Sequence, residues 1–171
     1  MTHILSIALP EGVFVAHFTE NGLARLDWPE EKKRKAESGK RKPAPSAAEE
    51  TPVKLLHWRQ LTRAALERVF AGKSPLQLPP LDLSAGTSFQ HKVWELLRQI
   101  PPGQTRFYAE LAAALRRPNA ARAVGNACGA NPIPLLIPCH RVVPRGGGLG
   151  GFSGPLEWKQ RLLETEGRKA Q

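Results

Sequence analysis

Residues 108–130 read YAELAAALRRPNAARAVGNACGA, and this stretch decides the fold. Tyr108 to Leu115 has the composition of a short helix. Pro118-Asn119 forms a turn, because proline cannot continue a helix and asparagine suits the cap position. A second helix is expected from Ala120 to Cys128, with Asn119 as its N-cap. Two short helices across a tight turn make a helix-turn-helix, an arrangement that enters nucleic-acid grooves but also occurs in plain helical bundles. The second helix is nearly bare, with Ala120, Ala121, Ala123, Gly125, Ala127, Gly129 and Ala130. Small side chains let a backbone come close, either to another helix or to a groove. In a groove, Arg122 would be the one long side chain of the first turn to project into the bases.

Upstream, Ser88 to Arg98 predicts a helix capped by Ser88 or Thr87, and Pro101-Pro102-Gly103 breaks the chain. Leu55 to Phe70 has apolar residues at helical spacing. His3 to Leu9, Val13 to Phe18 and Leu23 to Trp28 read as strands, with Asn21-Gly22 as a tight hairpin turn. Residues 30–52 are charged, rich in Pro, Ala and Ser, and expected to form a disordered basic loop. Pro79-Pro80-Leu81-Asp82 is an extended linker, which sets a domain boundary near residue 83.

The totals bound the class. The chain has 171 residues, 41% hydrophobic, with 25 Lys and Arg against 15 Asp and Glu, for a net charge of +10. That allows one ordinary domain or two small ones. The charge suits an anionic partner, although a solvated basic surface would give the same total. The two cysteines, Cys128 and Cys139, form no CxxC pair and no zinc-finger spacing. No apolar stretch reads as a signal peptide or a membrane span, so the expectation is a soluble protein of a reducing, cytoplasmic compartment.

Downstream lies LLIPCHRVV, residues 135–143. Pro132, Pro134 and Pro138 forbid a regular helix and constrain the path to Cys139. A thiol becomes a strong nucleophile when a base takes its proton, and His140 is adjacent. On an extended strand neighbouring side chains point apart, so His140 must sit in a turn or act through a water. It also needs an acceptor on its other nitrogen, and Glu166 in the terminal helix is a candidate. The local pattern alone leaves a buried structural Cys139 as open as a reactive one. Cys128, among small helical residues, reads as packing. The glycine-rich RGGGLGGFSG, residues 145–154, lacks the Gly-Lys-Ser/Thr of a phosphate loop and could wrap a flat ligand or serve as a connector. Leu156 to Gly167 predicts a last amphipathic helix.

Asn131-Pro132-x-Pro134 followed by Ile137-Pro138-Cys139-His140-Arg141-Val142 resembles the active-site signature of the O6-alkylguanine-DNA alkyltransferases, the methylated-DNA–protein-cysteine methyltransferases. The resemblance runs from Ser88 to Gly167, while the first 80 residues fit the family's variable N-terminal domain only loosely. It implies an α+β fold: a small ribonuclease H-like domain over 1–82, and a mainly helical domain over 83–171 with a winged helix-turn-helix-like motif. Cys139 is similar to the acceptor thiol that takes the alkyl group from O6 of guanine, with O4 of thymine a further candidate source. His140 resembles its base, Glu166 the residue that orients His140, Tyr108 the hydrogen-bond donor to the departing guanine, and Asn131 the link from recognition helix to site. Val142, Phe152, Ser153 and Trp94 are the implied substrate contacts. Arg122, Ala121, Ala123, Gly125 and Arg141 are the implied DNA contacts, with Arg122 filling the gap left by a flipped nucleotide.

The implied partner is double-stranded DNA carrying O6-alkylguanine, bound through the minor groove by a monomer, with no cofactor and no metal. Phe152 departs from the family's usual tyrosine, which keeps a ring wall and loses a hydroxyl. A non-enzymatic damage sensor of the alkyltransferase-like type is the alternative, and the presence of Cys139 opposes it. A cysteine hydrolase would have no use for Arg122. A plain helix-turn-helix regulator would carry base-reading side chains where this chain has Ala and Gly.

Overall fold

The computed structural model describes residues 1–29, 51–150 and 152–167. The loop expected over 30–52 lies almost wholly outside the described residues. The chain starts with three antiparallel strands in the order β1 (His3–Leu9), β2 (Gly12–Thr19) and β3 (Gly22–Asp27). Phe14, Ala16 and Phe18 alternate onto the buried face of β2, as period-two patterning requires. Helix α1 (Val53–Phe70) packs against β1 and turns Leu55, Trp58, Ala65, Leu66 and Val69 inward.

The hairpin is shifted by one residue from its sequence reading. Thr19 pairs with Gly22, so Glu20 and Asn21 make the turn. Gly22 is required for another reason. Its φ is +145°, and a Cβ there would lie 2.1 Å from the Pro80 carbonyl oxygen. The linker runs directly alongside, with Leu23 N–H donating to Pro80 O at 2.8 Å and Asp82 N–H to Leu23 O at 2.8 Å.

Helix α2 (Ser88–Arg98) begins in a capping box. The Thr87 hydroxyl accepts from Gln90 N–H, and the Gln90 side chain accepts from Thr87 N–H. Strand β4 (Arg106–Phe107) leads straight into α3 (Tyr108–Ala114), and α4 (Ala121–Gly129) packs on both α2 and α3. Asn119 does not cap α4: the N-cap is Ala120, with no side-chain bond. After a single helical turn at Cys139–Arg141, strand β5 (Val142–Val143) pairs in parallel with β4, and α5 (Leu156–Thr165) follows. A ring cluster joins the sheet to α5: Phe14 to Phe70 at 5.7 Å, Phe70 to Trp158 at 5.7 Å, and Trp28 to Trp158 at 5.4 Å. Among the described residues no helix is long and apolar enough to cross a membrane.

Candidate active site

The approach to Cys139 is organised by Asn131. This side chain is buried, donates through Nδ2 to Ile137 O at 2.8 Å, and accepts through Oδ1 from Ile133 N–H at 3.0 Å. It thereby folds residues 131–137 back on themselves directly after α4. Within this loop Leu135 is held at φ +73°, a left-handed conformation that a non-glycine side chain keeps only where its surroundings impose it. Cys139 and His140 then fall on the single turn, which resolves the alternation problem of an extended chain. Both are buried, and Cys139 Sγ lies 3.5 Å from Ser153 Oγ.

His140 Nε2 lies 3.0 Å from Glu166 Oε1. Burial would push the Glu166 carboxyl up, but hydrogen bonds from His140 and Arg141, with the charge of the Arg141 guanidinium, more than offset it and hold the group down at about 2. An ionised carboxylate only accepts, so Nε2 carries the proton and Nδ1 is left with a bare lone pair. Nδ1 is buried and has no partner among the described residues. Burial lowers the histidine's pKa below its ordinary value, against the opposing pull of Glu166. His140 is therefore neutral near pH 7 and able to accept a proton there. Cys128, in contrast, is pushed up to about 12 by burial and by its neighbour Cys139, which suits an inert packing thiol.

Tyr108 begins α3 and is delivered by the β4–β5 pairing, Phe107 opposite Val143. Its ring is half-buried between α4 and the glycine loop. A Cβ on Gly125 would sit 3.8 Å from the ring, and one on Gly150 would sit 3.0 Å from the hydroxyl. Val142 is fully buried in β5, and Phe152 packs edge-on against Trp28 with ring centres 5.4 Å apart. On α4, Arg122 and Ala123 are exposed and Ala121 and Gly125 partly so, while Val124, Ala127 and Cys128 face inward.

Two of the expected contact residues are engaged within the fold. Arg141, expected among the DNA contacts, is 5% exposed. It donates to Glu166 through Nε and Nη2, the latter at 2.8 Å, and to Ile100 O through Nη1. Its guanidinium is thus committed to Glu166 and to the Ile100 carbonyl. Trp94, expected among the substrate contacts, packs on its neighbours: its indole N–H donates to Ala127 O at 2.9 Å and its ring lies on Gly86. Sequence reasoning also missed Lys159, which is fully buried and donates to Val142 O at 2.7 Å, tying α5 to β5. A signal existed, since Lys159 falls in phase with Leu162 and Leu163 on the apolar stripe of α5.

Residues 88–168 match the family model described as 6-O-methylguanine DNA methyltransferase, DNA binding domain. The methylated-DNA–protein-cysteine methyltransferase of Salmonella typhimurium is 55% identical over 84 residues, 49% of this chain and 49% of that protein. The match thus spans about half the length of that curated relative. Among solved structures, Mycobacterium tuberculosis O6-methylguanine methyltransferase is similar over 97% of this chain and 93% of its own, at 34% identity and a TM-score of 0.68. The structure of the Mycobacterium tuberculosis protein in complex with DNA is similar over 96% and 93%, at 33% identity and the same TM-score.

Proposed function

We infer the activity from one premise: the chain belongs to the 6-O-methylguanine DNA methyltransferase family. We propose that it repairs duplex DNA by direct reversal, moving an alkyl group from O6 of guanine to its own Cys139. The observation that carries this reading is the buried relay beside the thiol, a neutral histidine held by an ionised glutamate with its other nitrogen bare.

In the proposed step His140 accepts the Cys139 proton through Nδ1, directly or through a water, and Glu166 stabilises the resulting imidazolium. The thiolate attacks the alkyl carbon in line. One S–C bond forms, the C–O6 bond breaks, and its electron pair leaves with guanine. Guanine is a poor leaving group until donors neutralise it. The Tyr108 hydroxyl and Ser153 have that role, and one proton finally replaces the alkyl group on the base. The product thioether has no easy hydrolysis route, so each molecule acts once.

A lesion inside a duplex must be flipped out, at a cost of a few kcal/mol. In this reading α3 and α4 act as the helix-turn-helix, the small outward face of α4 enters the minor groove, and Arg122 fills the gap. The division into 1–82 and 83–171 belongs to the same reading, with the second part holding the transfer chemistry. A monomer suffices, since every named group lies on one chain.

The test is intact mass after incubation with excess duplex carrying one O6-methylguanine. The expected result is a gain of a single methyl, mapped to Cys139 and absent in Cys139→Ala. Tight binding of the damaged duplex without any mass gain would make the protein a sensor instead.

A further inference from the structure

We propose that Trp28, the residue directly after β3, sets the size of O6 substituent that the site accepts. The inference rests on alkyl transfer at Cys139 and names a residue outside the matched region 88–168. In-line displacement places O6, the transferred carbon and Sγ on one line. Anything larger than methyl must therefore project sideways from that carbon. A cavity of about 270 Å³ lies alongside, bordered by Ser153, whose Oγ is 3.5 Å from Sγ. Its lining includes Pro132 and Pro134 from the loop before the thiol, and Arg25, Leu26, Asp27 and Trp28 from β3 and the residue after it. The volume falls just under the roughly 300–1,000 Å³ typical of small-molecule pockets, so it suits a compact substituent.

Trp28 is the bulkiest of these walls, and it is fixed in place. Its indole lies against the backbone beside Ser153, where a Cβ on Gly154 would come 2.3 Å from Nε1. Phe152 meets it edge-on at 5.4 Å, and Phe14 and Trp158 stand at 6.3 and 5.4 Å. Just before it, Leu26 N–H donates to Pro132 O at 2.9 Å, which locks β3 to the loop that carries the thiol. A ring packed on several sides cannot swing away to admit a larger group. The limit on substituent size is thus set by a residue of the N-terminal part, just past β3.

The test uses the full chain and two duplexes of one sequence, carrying O6-methylguanine or O6-benzylguanine. Single-turnover transfer to Cys139 is followed by intact mass for the parent protein, Trp28→Ala and Trp28→Phe, with folding checked by circular dichroism. The benzyl-to-methyl rate ratio should rise about tenfold or more in Trp28→Ala, since even one methylene in an apolar pocket is worth about tenfold. It should rise less in Trp28→Phe, which keeps a ring and removes an N–H that has no partner among the described residues. An unchanged ratio in folded variants that still transfer methyl overturns the proposal. If Trp28→Ala does not fold, Trp28→Phe decides alone: a raised ratio supports the assignment and an unchanged one overturns it. A parent protein that gains no methyl at Cys139 sinks the transfer reading itself, and this inference with it.

Discussion

Glu166 accepts from His140 at 3.0 Å and from Arg141 at 2.8 Å, with 1% of its side chain exposed. Two functions therefore converge on one carboxylate. It fixes the His140 tautomer, which the proposed transfer requires, and it neutralises a cation that the fold has buried. Glu166→Gln keeps the shape and removes the charge, which leaves Arg141 buried without its counter-ion. Breaking one side of a buried pair costs about 3–5 kcal/mol, so urea unfolding should show a loss of that order. The amide also cannot stabilise an imidazolium, so transfer to Cys139 should slow by roughly 10²-fold or more, the usual worth of a positioned acid–base group. Full transfer rate in this variant would remove Glu166 from the mechanism.

At the scale of elements, α2 and α4 begin very differently. The capping box satisfies donors at the start of α2, and Thr87→Ala removes its central hydroxyl. The expected loss is about 1 kcal/mol, read as a fall of a few degrees in Tm, with transfer kinetics retained. Helix α4 has no side-chain cap, and apart from Arg122 and Asn126 its exposed residues are Ala and Gly. Under the proposed function its one long first-turn side chain matters only when a base must leave a duplex. Arg122→Ala should thus slow repair of duplex O6-methylguanine by about tenfold or more, the equivalent of roughly 1.4 kcal/mol of lost flipping energy. Reaction with free O6-benzylguanine should continue at the parent rate. Equal slowing of both reactions would give Arg122 a structural role.

For the whole molecule, the buried relay makes stability depend on acid. His140 titrates below its ordinary 6.5 in the folded state, and Glu166 at about 2 against an ordinary 4.5. Both groups bind fewer protons folded than unfolded, so their contribution is complete above pH 6.5 and falls as pH drops. The loss begins with His140 just below pH 6.5 and continues with Glu166 from 4.5 toward 2. Chemical denaturation at a series of pH values should show a plateau above 6.5 and a steady decline below it. His140→Gln should remove the upper part of that decline. A flat profile between pH 6.5 and 4 would mean that His140 is not buried in its neutral form.

The sequence by itself determined what local rules can encode. The limits of α2, the small outward face of α4, and the proline-constrained path to Cys139 all follow from neighbours along the chain. So does the pairing of a cysteine with a histidine, which identified the candidate thiol. Tertiary structure alone decided the contacts between distant segments. It turned Arg141 inward to Glu166, 25 residues away, where sequence suggested a DNA contact. It swung Trp94 toward the backbone of α4, and it explained Gly22 by the approach of Pro80 rather than by the hairpin. It also brought Trp28 across more than a hundred residues to stand beside Phe152. The physical reason is that backbone preference and periodicity act over a few residues, while burial and charge pairing are settled only when whole elements pack.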